Sequence, residues 1–300
     1  MKHIFVINPK AGQKDMTEYI QSQLKKFVDK IDYEIYVTKG INDALEFTKD
    51  YCQTHDGALR FYACGGDGTL NEVVNGLIDF PNASIACYPI GSGNDFIKNF
   101  GTHEDFLNLN NLILGKDQLV DVFQVNDRYT INICNFGFDA VVADNMVKFK
   151  TKWRVKGKTA YNLAVFYSLL FKTKHECKIT VDGKVMHNGK LLLCAVANGM
   201  CYGGGYYCAP LAKYDDGLLD INIVRTMSRF QFVSMIGKYK RGQHLDDKRI
   251  SKYITYLQGK TLDIEAPNGV IYCIDGEVSQ SAKMHMQVHP KMVRFVVPKK

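Results

Sequence analysis

The sequence predicts an α/β protein in two parts, a parallel-sheet α/β domain followed by a mostly antiparallel β-sandwich. Three observations predict it. The first 115 or so residues alternate short apolar runs with stretches of helical period. The run Gly65-Gly66-Asp67-Gly68 stands between an apolar run and a helical pattern. Beyond Asp117 the helical period gives way to many short strand-like runs.

Taken in order, "HIFVI" (3–7) reads as a buried strand. "MTEYIQSQLKKFVDKI" puts Met16, Ile20, Leu24, Phe27 and Ile31 on one helical face. "YEIYVT" (33–38) is a strand, and "NDALEFTKDYC" (42–52) a helix with Asn42 or Asp43 as N-cap. "ALRFYAC" (58–64) is the third strand, a helix starts near Thr69, and "SIACYPI" (84–90) is the fourth strand. "QLVDVFQVN" and "RYTINICNFG" flank Asp127 as a hairpin. Helical stretches follow at about 138–150 and 157–171. From Lys174 strands dominate: "HECKITVDG", "KLLLCAVANG", "GLLDINIVR", "KTLDIEA", "GVIYCID", "KMHMQVH" and "MVRFVVP", with one helix at about 228–240. The domains are therefore expected at 1–118 and 119–300, and the last strand is allowed to return to the first domain.

Composition narrows the class. Hydrophobic residues make up 46% and charged residues 23%, which excludes disorder and supports a sizeable core. The net charge of +7 suits anionic substrates, a membrane surface or nucleic acid and selects none of them. No nucleic-acid module is recognisable, so no nucleic-acid partner is expected. The nine cysteines are odd in number, form no C-x-x-C and sit in apolar runs, as in "FYACGG". Free thiols of a reducing cytosol explain them better than disulfides or zinc. The first apolar run is too short for a signal peptide, and "LAVFYSLLF" is too short for a membrane span. The expected location is cytoplasmic, with no transmembrane anchor.

The glycine run carries the chemistry. Glycines at a strand-to-helix turn permit positive φ and close approach of a ligand to the backbone. The helix behind them offers free N–H groups and a positive dipole end, so phosphate is the expected guest. Asp67 would repel phosphate directly and needs a cation between, which a magnesium nucleotide supplies. A tight Asp-Gly turn is the plain alternative for an isolated run. "KGKTAY" (156–161) contains G-K-T but lacks the spacing of a Walker loop.

"GGDGTLNEVVNG" (65–76) resembles the signature of the diacylglycerol kinase catalytic domain, a superfamily that includes sphingosine and ceramide kinases and is distantly related to NAD kinase. "NPKAG" (8–12), "PIGSGNDF" (89–96), "NGMCYGGGYYCAPLAKYDDGLLD" (198–220) and "IDGE" (274–277) resemble the family's other motifs, in order. The resemblance spans almost the whole chain and is closest to the compact bacterial lipid kinases. It implies an NAD kinase/diacylglycerol kinase-like fold with nucleotide on the first domain. One departure is Ser92, where the family has Thr; the hydroxyl is kept.

The resemblance also implies roles. Asn8, Thr38 and Ser92 match nucleotide contacts, and Gly65, Gly66, Asp67, Gly68, Thr69 and Asn71 match the phosphate-facing loop. Asp67 and Asp95 match the acids that organise catalytic Mg²⁺; locally, Asp95 also reads as an N-cap of "DFIKNF". Glu277 matches the general base, and without the other motifs D-G-E would read as a hairpin turn. Lys213 and Leu218 carbonyls and the Asp216 carboxylate match a structural Mg²⁺ site, where an Asp-Asp-Gly turn is the plain reading.

A bilayer substrate requires contact with a membrane. The stretch 148–158 interleaves six basic residues with Phe149 and Trp153, as a docking surface or a solvated connector would. The resulting expectation is an ATP- and Mg²⁺-dependent lipid kinase acting on diacylglycerol, transiently peripheral to the inner face of the membrane. Another lipid alcohol (phosphatidylglycerol, a sphingoid base), NAD, and a nucleotide-binding regulator without turnover are the alternatives. A homodimer is left open.

Overall fold

The computed structural model describes residues 1–152 and 175–300. The predicted helix at 157–171 lies outside them. Four parallel strands open the chain: β1 (Lys2–Ile7), β2 (Asp32–Val37), β3 (Leu59–Gly65) and β4 (Ala83–Pro89), in the spatial order β4-β3-β1-β2. β3 and β4 are buried along their whole length, as their unbroken apolar runs require of strands covered on both faces. The helices α1 (Thr17–Leu24), α2 (Asp43–Thr54) and α3 (Asp67–Leu77) make the crossovers. The chain leaves β1 toward β2 and returns on the other side as β3, so the strand order reverses between β1 and β3. In open α/β sheets the crevice at that point, beyond the carboxyl ends of the strands, is where ligands bind.

Two local expectations need correction. α1 stops at Leu24 and passes into a 3₁₀ turn, Lys25–Phe27, although Ile20 and Leu24 are buried as predicted. Asn42 does sit at the N-cap of α2, but it is left-handed (φ 63°) and its side chain caps nothing. Glu72, from α3, takes over. Its carboxylate accepts from the backbone N–H of Asn42 at 3.0 Å and of Ala44 at 3.1 Å, and so satisfies the N-terminus of α2 from a neighbouring helix.

After a 3₁₀ turn at Phe96–Asn99 come two short helices, α4 (His103–Leu107) and α5 (Leu109–Ile113). β5 (Lys116–Val125) and β6 (Arg128–Thr130) form the expected hairpin around Asn126, which adopts φ 55°. Then come β7 (Ile133–Gly137), α6 (Phe138–Lys152), β8 (His175–Val181), β9 (Lys184–Ala197), β10 (Leu219–Arg225), α7 (Arg229–Lys240), α8 (Lys248–Ser251), β11 (Ile254–Gly259), β12 (Thr261–Ile274) and β13 (Glu277–Val297). These strands pair antiparallel with one another. α7 falls where the sequence placed it.

The four runs expected as separate final strands are two long strands. β12 carries an irregularity between Glu265 and Val270, and β13 carries one between His289 and Val293. Pro290 cannot donate to a ladder, and Lys291 turns left-handed at φ 53°. The buried carboxylate of Asp121 holds this kink, accepting from Lys291 N at 2.7 Å and Gly217 N at 2.6 Å. β13 pairs with β5 on both sides of it and, at Phe295, with Ile85 of β4, so the last strand joins the two halves into one sheet path.

All nine cysteines are free and buried. Among the described residues no helix is long and apolar enough to cross a membrane.

Candidate active site

The strand-to-helix turn after β3 is built by steric fit. Gly65, Gly66 and Gly68 do not have positive φ, so the expected conformational reason does not apply; the close-approach reason does. A Cβ on Gly65 would lie 2.3 Å from Thr69 Oγ1, and one on Gly91 would lie 2.4 Å from Gly66 Cα. The two glycine loops, after β3 and β4, therefore press backbone to backbone. A Cβ on Gly68 would meet nothing nearer than Glu277 Oε1 at 3.9 Å. That position is bare without a packing need for it. α3 begins at Asp67, two residues before the expected start, with Gly66 as an N-cap that has no side chain to satisfy the helix. Its first N–H groups are thus free for an anion.

Asn8, just after β1, reaches across the switch point and donates from Nδ2 to Thr69 Oγ1 at 3.1 Å. Thr38, just after β2, is buried beside it and donates its backbone N–H to Ile7 O. Asn8, Thr38, Gly65, Gly66, Gly68, Thr69 and Ser92 all lie at the carboxyl ends of the parallel strands.

The two acids meet. Asp67 accepts from the backbone N–H groups of Asn94 and Asp95, both at 2.8 Å. Burial, and after it the charge of Asp95, pushes the Asp67 carboxyl up to about 7. Asp95 stands at the head of the 3₁₀ turn but makes no side-chain cap. The N-cap expectation fails because its carboxylate is engaged elsewhere, by Lys98 Nζ and by the backbone N–H of Gly204 at 2.8 Å. Gly204 lies in a run of three left-handed glycines, 203–205, which lets the second half of the chain lay its backbone on this acid.

Asn71, which the resemblance places in the phosphate-facing loop, is 1% exposed, and its side chain braces the two halves. Its Nδ2 donates to Asp275 Oδ2 at 2.9 Å and Tyr129 O at 3.0 Å, and its Oδ1 accepts from Arg128. Asp275 also accepts from Thr130 Oγ1 at 2.6 Å and Ile133 N at 3.0 Å. The tight turn at Asp275-Gly276, both left-handed, presents Glu277 at the start of β13. Glu277 pairs with Arg128 and faces Gly68.

A cavity of about 460 Å³ opens beside these groups. Asp67, Ser92 and Asp95 line it from the first half, and Asp139, Tyr202 and Asp275 from the second. Beyond the acids its walls are apolar: Ile133, Phe138, Val142, Phe232, Met235 and Ile236. The one cavity thus combines carboxylates with apolar walls.

Residues 2–125 match the diacylglycerol kinase catalytic domain, and 132–297 match the YegS C-terminal NAD kinase beta sandwich-like domain. A Shewanella frigidimarina protein described as a probable lipid kinase, YegS-like, is 31% identical over 81% of this chain and 78% of its own. The chain belongs to the diacylglycerol kinase family of lipid kinases. A diacylglycerol kinase of Bacillus subtilis is 29% identical over 91% of this chain and 88% of its own. The crystal structure of a Bacillus anthracis Sterne protein, assigned as a diacylglycerol kinase, superposes with a TM-score of 0.78 at 26% identity, covering 99% and 97% of the two chains.

In this kinase the remaining expected residues form a separate corner. Asp216 Oδ1 accepts from Leu218 N at 3.1 Å, in the loop that also carries Lys213. Burial first, and then the charge of Asp216, raises the nearby carboxyls of Asp121 and Asp220. A cation fits such a corner, since it would relieve this crowding. Among the described residues no three His, Cys, Asp or Glu side chains converge in metal-binding geometry, so a ligand set here would rest on carbonyls. Sequence reasoning missed Glu72, Arg128 and the pair Asp139–Tyr202. For Asp139 the signal was present: it is a single acid in the apolar run "NFGFDAVVA" (135–143).

Proposed function

We propose that this kinase transfers the γ-phosphoryl group of ATP to the hydroxyl of diacylglycerol, giving phosphatidic acid, with Mg²⁺ required. The observation that carries the reading is that one cavity is lined both by the paired carboxylates Asp67 and Asp95, the first at the N-terminus of α3, and by apolar side chains. The turn at Gly65–Thr69 receives the phosphates, with Asn8, Thr38 and Ser92 lining the nucleotide side. Asp67 and Asp95 hold Mg²⁺, directly or through water. The donor set fits: two hard carboxylates share one cavity, and burial, then the charge of Asp95, already raises Asp67. Bound there, the metal neutralises charge on the transferring phosphoryl group. Glu277 accepts the proton of the acceptor hydroxyl, and Arg128 and Asp275 fix its position. Proton acceptance of this kind is typically worth about 10²–10⁴-fold in rate.

The carbonyls of Lys213 and Leu218 and the carboxylate of Asp216 would hold a second Mg²⁺, which would stiffen the loop that clasps Asp121. Contact with the inner face of the membrane delivers the lipid. Of the basic stretch proposed for it, 153–158 lies outside the described residues, and 148–152 is the end of α6. The test is labelled ATP with the purified chain and a panel of acceptors in mixed micelles. Mg²⁺-dependent labelling of diacylglycerol supports the reading. Labelling of phosphatidylglycerol, a sphingoid base or NAD instead moves it to that substrate, and no labelling of any acceptor leaves a nucleotide-binding regulator.

A further inference from the structure

Asp139 has no part in the chemistry above, yet it lines the same cavity. It stands in the first turn of α6, between the apolar side chains of Phe138 and Val142. One oxygen, Oδ2, accepts a hydrogen bond from the hydroxyl of Tyr202. Oδ1 has no partner among the described residues. A half-buried carboxyl oxygen with no protein partner, in a mostly apolar pocket, is left to water or to a ligand. Its surroundings shift it toward the neutral form without reaching it at neutral pH. Burial pushes its carboxyl up to about 6, against the pull of Tyr202. Among the described residues, the titratable groups that act on it or feel its charge are Tyr202, Tyr239, Cys208 and Cys273, whose protons burial holds in place. None of these is a cation. An acyl chain filling the cavity would strip away more water and favour the neutral acid further.

A neutral carboxyl has one O–H to donate. An acceptor lipid whose free hydroxyl sits at Glu277 has only its ester carbonyls left to offer in the cavity, and these accept. We propose that Asp139, oriented by Tyr202, donates a hydrogen bond to an ester carbonyl of the acceptor, so that the enzyme selects ester-linked over ether-linked glycerolipids. The proposal rests on the lipid-kinase reading above and names a specificity residue for it. The turn that carries Tyr202 also carries Gly204, whose N–H holds Asp95. Seating the ester and fixing the metal acid therefore involve one five-residue loop.

The experiment compares phosphorylation of a diacylglycerol and the matching dialkylglycerol, in the same micelles, by the wild type, Asp139→Asn and Asp139→Leu. One hydrogen bond in an apolar site predicts about a tenfold preference for the ester, expressed in KM rather than kcat. Asp139→Asn, which keeps a donor, should retain most of it. Asp139→Leu should abolish the preference by raising KM for the ester about tenfold more than KM for the dialkylglycerol. As a check on folding and position, Tyr202→Phe removes the bond that favours the charged form, so its ester preference should persist to higher pH than the wild type's. An unchanged ester-to-ether ratio in Asp139→Leu, or a wild-type preference for a sphingoid base held by an ionised carboxylate, would overturn the proposal. Transfer to no lipid at all would instead remove the reading beneath it.

Discussion

The backbone N–H of Asp95 donates to the carboxylate of Asp67 at 2.8 Å, which fixes two acids in one mostly apolar cavity. Their proximity has a stability consequence. The Asp67 carboxyl is raised from 3.8 to about 7, first by burial and then by Asp95. A raised acid favours folding only while protonated, so without metal the protein loses stability as pH rises from about 4 through about 7. The loss is on the order of 4 kcal/mol. Asp67→Asn escapes it but forfeits one accepted hydrogen bond, about 1.5 kcal/mol. Urea denaturation without Mg²⁺ should find Asp67→Asn roughly 2 kcal/mol more stable than wild type at pH 8 and less stable at pH 4. Parallel stability curves across that range would contradict the assignment.

The glycines of the loop should separate. Gly65→Ala drives a methyl into Thr69 and should lower stability by about 1–3 kcal/mol. Gly68→Ala meets no such obstacle and gains up to about 1 kcal/mol of helix propensity, so it should fold normally. It should nonetheless bind Mg·ATP at least tenfold more weakly by calorimetry, because the bare face is where phosphate approaches. Unimpaired binding would mean that the phosphates lie elsewhere.

Glu277 is tied to Arg128, which is itself held by Asn71. Glu277→Gln keeps the shape and loses the base. Its kcat should fall by about 10²-fold or more while the nucleotide Kd stays within a few-fold. Near-normal turnover would remove Glu277 from proton transfer.

The Asp216 corner predicts a metal effect independent of catalysis. Mg²⁺ alone should raise the melting temperature of the wild type, and Asp216→Ala should remove the part of that rise that Asp67→Asn leaves. Equal Mg²⁺ shifts in the wild type and Asp216→Ala would exclude the second ion.

The first four strands were legible because each is a short apolar run closed by a glycine, asparagine or helical pattern, and the glycine loop because no packing pattern explains four near-bare residues. Contacts distant in sequence were not legible. Nothing local says that Glu72 caps α2, that Asn71 braces Asp275 204 positions away, or that Asp121 clamps the kink at Lys291. Asp95 looked like a cap, yet its carboxylate goes to a glycine 109 residues on. The breaks in β12 and β13 read as strand ends because a left-handed residue inside a long bent strand carries the same local signal as a turn.

The central claim is phosphoryl transfer at this cavity. Its most direct test is the incorporation of label from γ-labelled ATP into diacylglycerol in mixed micelles, with the wild type and Asp67→Asn side by side. The account predicts Mg²⁺-dependent labelling by the wild type and a loss of at least about 10³-fold in the variant. Equal labelling by both, or none from the wild type, would contradict it.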